Sequence, residues 1–356
     1  MQNLRTRVTL NSAEGERRFT PEPDVLDGQT IFITGGTGSF GKELVKRLLH
    51  KHRCRKIIIF SRDELKQFEM REALEEEFSA DQLEPIRFFL GDVRDRERLT
   101  LATRGADVVV HAAALKQVPA AEYNPSECIH TNIMGAENVV WASLANKVKK
   151  VVALSTDKAC NPVNLYGATK LASDKTFVAA NNLAGDIGTR FCVVRYGNVV
   201  GSRGSVVPLF KRLAAKGVTE FPITDERMTR FWITLDQGVS FVLSSLTVMR
   251  GGEIFIPKIP SMTIVDLLDA MAPGSTSKVI GIRPGEKLHE VMISSDDARY
   301  TVDLGDRYAI EPAFAEYTRA SFVADGAQTV ADGFTYSSDN NTEWLDAKAL
   351  KSMIGF

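Results

Sequence analysis

Short apolar runs rich in β-branched residues alternate with longer helical patterns from about residue 29 onward. The runs that indicate strands are "TIFIT" (30–34), "KIIIF" (56–60), "IRFFL" (86–90), "DVVVHAA" (107–113), "KVVALS" (150–155) and "RFCVVRY" (190–196). Helical patterns over about 40–51 and 64–79 follow the first two runs. Strands that are apolar throughout and separated by helices indicate a parallel sheet covered on both faces. We therefore predict a doubly wound α/β fold of the Rossmann type, in which ligands bind beyond the carboxyl ends of the strands.

The regular alternation ends at Tyr196. The glycine-rich stretch "GNVVGSRGSVVPLF" follows directly, and short, mixed segments come after it. This change predicts a Rossmann domain over 27–197 and, over 198–356, a smaller mixed α/β substrate-binding domain. Some later segments are expected to return to the first sheet. Residues 1–26 read as a polar N-terminal extension.

The composition excludes several classes of protein. With 356 residues, 44% hydrophobic residues, 25% charged residues and a net charge of −1, the chain lacks the basic excess of a nucleic-acid or anionic-membrane binder. Its longest apolar stretches, such as 148–154, are far shorter than the roughly 20 residues that span a bilayer. The first residues lack the apolar core of a secretory signal, so we expect a cytoplasmic protein.

The cysteines and histidines indicate neither a disulfide framework nor a metal site. The four cysteines are scattered without C-x-x-C spacing, and a chain of this length rarely depends on disulfides. The five histidines form no H-E-x-x-H or comparable ligand pattern. We expect free thiols and no bound metal.

A glycine loop, "TGGTGSFG", follows the first predicted strand and opens the first predicted helix. Gly35, Gly38 and Gly41 allow a tight turn and close backbone approach, while the start of the helix offers free N–H groups and a positive dipole to a pyrophosphate. A strand-to-helix turn without a ligand is the alternative for such a loop. The downstream Y-x-x-x-K pair favours a dinucleotide site, which also includes Thr37, Ser39 and Phe40.

The tip of the second strand, about 20 residues after the glycine loop, should contact the adenosine ribose. There the chain reads Ser61, Arg62 and Asp63, with Lys66 one helical turn further on. A hydroxyl and a guanidinium favour a 2′-phosphate, whereas an acid at the tip would favour a 2′-hydroxyl. We predict NADP rather than NAD, although Asp63 leaves NAD open. After the third strand, Asp92 and Val93 are expected at the adenine.

The stretch "STDKACNPVNLYGATK" (155–170) carries the candidate chemistry. Tyr166 and Lys170 are spaced to project from one face of a helix, where the lysine charge should move the tyrosine pKa from about 10 toward neutrality. The phenolate could then accept a hydroxyl proton as hydride leaves carbon. Asp157 and Lys158, just upstream beside Thr156, add an acid and an amine that hydride transfer alone does not need.

Together with the glycine loop, the stretches "HAAALK", "STDKA", "NLYGATK", "RYGNVVGSRGS" and "RPGEKLHE" resemble an extended short-chain dehydrogenase/reductase. More narrowly, they are similar to the inverting UDP-N-acetylglucosamine 4,6-dehydratases (5-epimerising), which open the pseudaminic acid pathway. The resemblance begins at about Asp27 and runs to the C-terminus. "STDKA" is its most specific element, because epimerases of this superfamily lack an acid and a base here and retaining hexose dehydratases typically carry Asp-Glu.

The resemblance implies oxidation at C4 of UDP-N-acetylglucosamine, elimination of water across C5 and C6, and return of hydride to C6. Tyr166 would handle the first step, with Asp157 as acid and Lys158 as base in the second. Inversion at C5 is implied by the lysine in place of the usual glutamate. As a base, Lys158 would need its pKa lowered from about 10.4 to about 7–8. Asp157 would have to keep its proton, and the two are expected to titrate as a coupled pair.

Other positions are assigned through the same resemblance. Three alanines and a valine would line the cofactor cleft: Ala112, Ala113, Ala114 and Val199. Seven residues match contacts to the nucleotide sugar: Lys116, Asn198, Arg203, Thr224, Arg230, Arg283 and Glu286. Guanidinium groups suit the UDP pyrophosphate because bidentate N–H donors match phosphate oxygens. Each of these arginines could equally be a surface or packing residue. The family further implies a homo-oligomer, either a dimer or a hexamer.

Two kinds of alternative remain open. A retaining 4,6-dehydratase or a 4-epimerase could act on the same nucleotide sugar, although Lys158 argues against the former and the Asp157–Lys158 pair against the latter. A non-enzymatic alternative is an NADP-sensing regulator that keeps the fold and has lost catalysis. Such a regulator should lack the tyrosine or lysine of the Y-x-x-x-K pair, and both are present here.

Overall fold

The computed structural model describes residues 8–9, 19–20, 26–201 and 205–354. The predicted strands are present in the first half, after one short N-terminal strand. They are β1 (Val8–Thr9), β2 (Thr30–Thr34), β3 (Lys56–Ser61), β4 (Ile86–Leu90), β5 (Val108–His111), β6 (Lys150–Thr156) and β7 (Arg190–Tyr196). Five of these strands lie within one residue of the predicted bounds, and β5 is shorter by one residue at its start and two at its end.

Helices connect these strands. The α-helices are α1 (Ser39–Lys51), α2 (Glu64–Glu77), α3 (Ala80–Leu83), α4 (Arg96–Ala102), α5 (Val118–Tyr123), α6 (Pro125–Ile129), α7 (Gly135–Ala145) and α8 (Leu165–Ala184). A π-helix (His130–Met134) joins α6 to α7, and 3₁₀ turns occupy Asp157–Ala159 and Gly185–Ile187. The first of these 3₁₀ turns holds the candidate acid and base.

The second half contains shorter elements. Its strands are β8 (Asn198–Val199), β9 (Glu220–Ile223), β10 (Thr229–Ile233), β11 (Ile254–Pro257), β12 (Ser261–Thr263), β13 (Thr276–Val279), β14 (Val291–Ile293), β15 (Thr301–Asp303), β16 (Arg307–Ile310), β17 (Gln328–Thr329), β18 (Tyr336–Ser337) and β19 (Glu343–Trp344). Its α-helices are α9 (Val206–Ala215), α10 (Leu235–Val248), α11 (Ile264–Met271) and α12 (Ala347–Ile354), and 3₁₀ turns occupy Ala298–Tyr300 and Phe322–Asp325.

The main sheet has ten strands in the order β17-β15-β16-β11-β7-β6-β5-β2-β3-β4. The strands from β11 to β4 are parallel, while β16, β15 and β17 add an antiparallel edge. The predicted doubly wound α/β fold is therefore confirmed. Chain order reverses between β2 and β5, which is where such sheets open a crevice for a ligand. Apart from the edge strand β4, the Rossmann strands are mostly buried on both faces, which explains their continuous apolar runs.

A second sheet of five strands, in the order β1-β19-β12-β10-β8, carries much of the rest of the chain. Its own apolar cluster includes Phe210, Phe221, Trp232 and Leu267. The strands that extend the main sheet, β11 and β15–β17, come from the same part of the chain, as the expected return to the first sheet requires.

The N-terminal segment is less polar in its packing than its sequence suggested. Phe19 is fully buried in the main core, with its ring 4.8 Å from that of Phe241, and Leu26 is buried in the same cluster. The carbonyl oxygen of Thr20 accepts a hydrogen bond from the buried Arg307. Phe19 and Leu26 thus belong to the main core, and Thr20 is hydrogen-bonded beside it.

Two further expectations concern cysteines and metals. All four cysteines are free thiols and buried. Within the part of the chain that the structure describes, no group of histidine, cysteine and carboxylate side chains could hold a metal ion.

Among the same residues, none of the helices has both the length and the apolar character to cross a membrane.

Candidate active site

The glycine loop joins the end of β2 to the start of α1 at the reversal point of the sheet. Gly35 has φ +65°, and a Cβ at this position would lie 2.8 Å from the backbone nitrogen of Ala113. A Cβ on Gly41 would overlap the carbonyl oxygen of Gly36, so both positions require glycine. The loop leaves the first N–H groups of α1 directed to the crevice, as a pyrophosphate requires. These residues fit a dinucleotide.

A cavity of about 700 Å³ opens over this loop and the carboxyl ends of the strands. It brings together all the residues predicted to contact the cofactor, which are Gly35, Thr37, Gly38, Ser39, Phe40, Gly41, Ser61, Arg62, Asp63, Lys66, Asp92, Val93, Ala112, Ala113, Ala114, Tyr166, Lys170 and Val199. Thr156, Lys158, Lys116 and Asn198 also line it. The cofactor loop and the candidate catalytic residues other than Asp157 therefore line one continuous cavity.

Asp63, at the end of the cavity expected to hold the ribose, already has hydrogen-bond partners within the protein. Asp63 caps the start of α2 by accepting a hydrogen bond from the backbone nitrogen of Lys66, and it also pairs with the Lys66 ammonium at 2.6 Å. Lys66 is therefore not an independent second cation. The Arg62 side chain is 57% exposed, lines the same end of the cavity and lies 3.7 Å from Asp92.

Tyr166 and Lys170 lie on the first turns of α8, and Asn164 caps the helix by accepting from the backbone nitrogen of Gly167. Both side chains are buried and line the cavity. Burial raises the pKa of Tyr166 to about 12, against the opposing effects of the Lys158 charge and a hydrogen bond to Thr156. Burial also lowers the pKa of Lys170, opposed by Asp174. The prediction that the Lys170 charge brings the tyrosine pKa toward neutrality is wrong for the protein alone, because desolvation dominates.

Asp157 and Lys158 lie in the 3₁₀ turn that follows β6, where Lys158 lines the cavity and Asp157 does not. The Asp157 side chain is 1% exposed, and its Oδ1 accepts hydrogen bonds from Thr156 Oγ1 and Lys158 Nζ, both at 3.0 Å. Its second oxygen is buried without a hydrogen-bond partner. Burial raises the pKa of Asp157, helped by Glu290 and opposed by Lys158. A raised pKa favours the protonated form that an acid needs.

Lys158 contacts a second carboxylate. Its Nζ lies 3.1 Å from Oε1 of Glu290, whose side chain is 2% exposed. Burial acts to lower the pKa of Lys158, but the charges of Asp157 and Glu290 outweigh it and hold the pKa above its usual value. The expected fall toward about 7–8 is therefore wrong for the protein alone, because two buried carboxyl groups stabilise the ammonium.

Glu290 is the site residue that sequence reasoning missed. It is the last residue of "RPGEKLHE", the motif from which only Arg283 and Glu286 were assigned roles. Nothing in its spacing relates it to Lys158, because the two meet only when the second half of the chain folds over α8. Its place in a family motif was the one available signal.

The residues predicted to bind the nucleotide sugar are only partly brought together. Lys116 and Asn198 line the cavity, whereas the described positions of Thr224, Arg283 and Glu286 do not. Arg203 lies outside the described residues.

Three of these residues already have partners of their own. Arg230 does not line the cavity, and its guanidinium donates to the carbonyl oxygens of Thr229, Lys287 and Leu288. The Arg283 side chain is 59% exposed and lies 3.9 Å from Glu286. The roles of these residues stay predictions.

The doubly wound sheet, the glycine cradle and the Tyr166–Lys170 pair in one cavity define an extended short-chain dehydrogenase/reductase. Residues 31–312 match the family described as polysaccharide biosynthesis protein. The chain belongs to this polysaccharide biosynthesis protein family, and the predicted resemblance is confirmed at this level.

Individual relatives cover nearly the whole chain. A UDP-N-acetylglucosamine 4,6-dehydratase (inverting) from Campylobacter jejuni is 59% identical over 335 residues, which are 93% of this chain and 98% of that protein. A UDP-glucose 4-epimerase from Rickettsia canadensis is 42% identical over 333 residues, 92% of this chain and 95% of that protein. The X-ray structure of Pen from Bacillus thuringiensis has a TM-score of 0.81 at 34% identity and covers 93% of this chain and 98% of its own.

Proposed function

We propose that this protein is a hydro-lyase, a UDP-N-acetylglucosamine 4,6-dehydratase that inverts C5 of the sugar. The observation that carries the proposal is the position of Asp157 and Lys158, 3.0 Å apart beside the cavity that Tyr166 and Lys170 line. An acid and an amine next to a hydride-transfer site are what elimination across C5 and C6 requires. The dehydratase from Campylobacter jejuni, at 59% identity over nearly the whole chain, supports the same activity.

The side chains divide the chemistry between them. When bound, the nicotinamide supplies reversible hydride transfer between C4 and C6 of the sugar. Tyr166 takes the proton of the C4 hydroxyl, and Lys170 stabilises the phenolate charge. The C4 ketone acidifies the C5 proton, so Lys158 can remove it while Asp157 gives its proton to the departing C6 hydroxyl, which leaves as water. The product is UDP-2-acetamido-2,6-dideoxy-β-L-arabino-hex-4-ulose, the intermediate that opens the pseudaminic acid pathway.

The cofactor is a nicotinamide dinucleotide, and we propose NADP rather than NAD. The carboxylate of Asp63 is occupied as the cap of α2 and by Lys66, so it is poorly placed to accept from a ribose 2′-hydroxyl. Arg62 lines the same end of the cavity and offers a guanidinium to a 2′-phosphate.

We further propose that the second sheet and its helices form most of the domain that binds UDP-N-acetylglucosamine, as the boundary near residue 198 predicts. Asn198 and Lys116 line the cavity, and Arg230 donates to the carbonyl oxygen of Lys287 in the loop 283–290. Thr224, Arg283, Glu286 and Arg203 stay candidates for contacts to the nucleotide.

Assembly and location are also proposals. The segment 118–145 exposes four large apolar side chains, namely Tyr123, Ile129, Met134 and Trp141, which supports a homo-oligomer, either a dimer or a hexamer. The four free thiols support a reducing compartment such as the cytoplasm. Light scattering of the purified protein would test the first proposal.

Proton NMR of the product formed from UDP-N-acetylglucosamine in deuterated water tests the activity. We expect a C6 methyl group, deuterium at C5 and couplings of the inverted sugar. A methyl product with retained C5 couplings would indicate a retaining dehydratase. A product that keeps its C6 alcohol would indicate a 4-epimerase and contradict the proposal.

Two variants test the assigned roles. Tyr166→Phe should lower turnover by about 10²–10⁴-fold, since it removes the group that takes the C4 hydroxyl proton. Lys158→Met should block C5 deuteration while leaving oxidation at C4 measurable in a single turnover as reduced cofactor. An NADP-sensing regulator would show no turnover in the unmodified protein, and both variants would leave its behaviour unchanged.

A further inference from the structure

Glu290 is a buried carboxylate that has no role in the reaction steps proposed above. Its Oε1 lies 3.1 Å from Lys158 Nζ and 3.8 Å from Arg230 Nε, and its Oε2 lies 4.0 Å from Lys287 Nζ. The same Oε2 is buried without a hydrogen-bond partner. Removing a carboxylate from water is costly, so three cations around it point to a charge that is kept ionised.

The backbone around Glu290 is fixed from the opposite side. Its nitrogen donates to Ser338 Oγ at 2.9 Å, and its carbonyl oxygen accepts from the Ser338 nitrogen at 2.8 Å. Lys287 is also held, because its ammonium donates to the carbonyl oxygen of Cys160 at 2.6 Å. The carboxylate is therefore preorganised, and it need not reorient when charge develops on Lys158.

Asp157 has a different environment. Of the cations near Glu290, only Lys158 pairs with Asp157. The other polar partner of the Asp157 carboxyl group is the hydroxyl of Thr156. Three cations lower the pKa of Glu290 although burial opposes them, whereas burial raises the pKa of Asp157. Two neighbouring carboxyl groups whose pKa values are pushed apart are suited to different roles.

We propose that Glu290 is a positioning residue that stabilises the Lys158 ammonium as it forms during removal of the C5 proton. This inference rests on the proposed function. Before elimination, Lys158 is the neutral amine, Asp157 carries its proton and Glu290 is the fixed anion. The C5–H bond breaks as an N–H bond forms on Lys158, and the electron pair becomes the C5–C6 double bond. The C6–O bond breaks, and the hydroxyl leaves as water with the Asp157 proton.

The contact of 3.0 Å between Lys158 and Asp157 then gives a direct way to reset the pair. A proton that moves from the Lys158 ammonium to the Asp157 carboxylate restores the amine and the acid. When hydride returns to C6, C5 takes up one proton from solvent, and Tyr166 releases to solvent the proton that it took from the C4 hydroxyl, so the proton balance closes. Glu290 keeps its charge throughout.

The test compares Glu290→Gln with Glu290→Asp and with a matched control, Glu253→Gln. Glu253 is also buried and ion-paired, to Arg319 at 2.9 Å, but it does not line the cavity. The charged and titratable groups that face Lys158 and Glu290 are Asp157, Tyr166, Arg230 and Lys287. Turnover would be measured against pH, with substrate carrying hydrogen or deuterium at C5.

At pH values where Lys158 is the neutral amine in both proteins, we expect Glu290→Gln to lower kcat by about 10²-fold, as loss of one preorganised electrostatic contact typically does. The C5 deuterium isotope effect should increase, because proton removal becomes slower than the other steps. The limb of the pH profile that rises as Lys158 loses its proton should move to lower pH, since an anion near the ammonium is gone. Glu290→Asp should recover part of the rate, and Glu253→Gln should change neither the isotope effect nor the limb.

If Glu290→Gln is too unstable to assay, Lys287→Met can be tested instead, and it should shift the pH profile in the opposite direction. Removing this cation strengthens the effect of Glu290 on Lys158, so the same limb should move to higher pH. An unchanged isotope effect and pH profile in Glu290→Gln would overturn the inference while leaving the dehydratase activity intact. If that variant cannot be assayed, an unmoved limb in Lys287→Met would do the same. Absence of any dehydrated product from the unmodified protein would instead overturn the proposed function.

Discussion

The side-chain amide of Asn164 donates to the carbonyl oxygen of Gly285 at 2.7 Å, while its oxygen accepts from the backbone nitrogen of Gly167 at the same distance. One buried side chain therefore both caps the helix that carries Tyr166 and Lys170 and joins it to the loop 283–290. The position of the catalytic helix depends on a segment more than a hundred residues away.

Asn164→Ala should lower the free energy of unfolding by about 1–2 kcal/mol, because a helix cap and a buried hydrogen bond are both lost. Asn164→Asp is the matched variant, since it keeps the acceptor for Gly167 and loses the donor to Gly285. Urea unfolding of both variants would separate the two contributions. Equal stability of Asn164→Ala and the unmodified protein would contradict the assigned role of the side chain.

Gly285→Ala should disturb the same junction from the other side. Gly285 has φ +78°, and an added Cβ would lie 3.0 Å from Asn164 Cβ and 3.2 Å from Val118 Cγ1. Gly305→Ala is the control, because its φ of +87° carries a similar backbone cost in open space. We expect a loss of about 1–2 kcal/mol in the control and a larger loss in Gly285→Ala. Similar melting temperatures for the two variants would show that the close contact costs nothing.

His111 should make the protein sensitive to acid. It is fully buried at the end of β5, with Nδ1 2.8 Å from Thr34 Oγ1, and burial together with the Lys170 charge lowers its pKa from 6.5 to about 3. Between these values the unfolded chain binds a proton that the folded protein does not, so stability falls as pH falls through this window. One such group contributes at most about 1.4 kcal/mol per pH unit.

Replacing this histidine tests the source of the acid sensitivity. His111→Asn keeps a polar atom near Thr34 and removes the titration, so the slope of unfolding free energy against pH should decrease below about pH 6.5. His130→Asn, at an exposed position, serves as the control. An identical slope in His111→Asn and the unmodified protein would assign the acid sensitivity to other groups.

Arg62→Ala should change the choice between the two dinucleotides. If the guanidinium binds a 2′-phosphate, its loss should weaken NADP binding by about 10–100-fold and leave NAD binding nearly unchanged. Arg71→Ala, on the same helix as Lys66 and stacked over Phe88, is the matched control outside the cavity. Calorimetric titration with both cofactors would measure the difference, and an equal loss for NADP and NAD would contradict a 2′-phosphate contact.

The sequence by itself determined the local features of this protein. Continuous apolar strands, helices of the right length and a glycine loop are short-range patterns, so the order of elements from β2 to β7 and the cofactor crevice followed from them. Tyr166 and Lys170 could be placed on one helix face because their spacing is fixed by the helix. The family motifs then assigned Asp157 and Lys158.

Only the tertiary structure decided how these groups are charged. Glu290 comes 132 positions after Lys158 in the chain and reaches it through the fold of the second half, which no spacing in the sequence reveals. The pKa of Tyr166, expected to fall, is raised by burial, and that of Lys158 is raised by two carboxyl groups. Desolvation and long-range charge pairs depend on what surrounds a group in three dimensions, which is why the elements that carry the site could be predicted and the protonation of its residues could not.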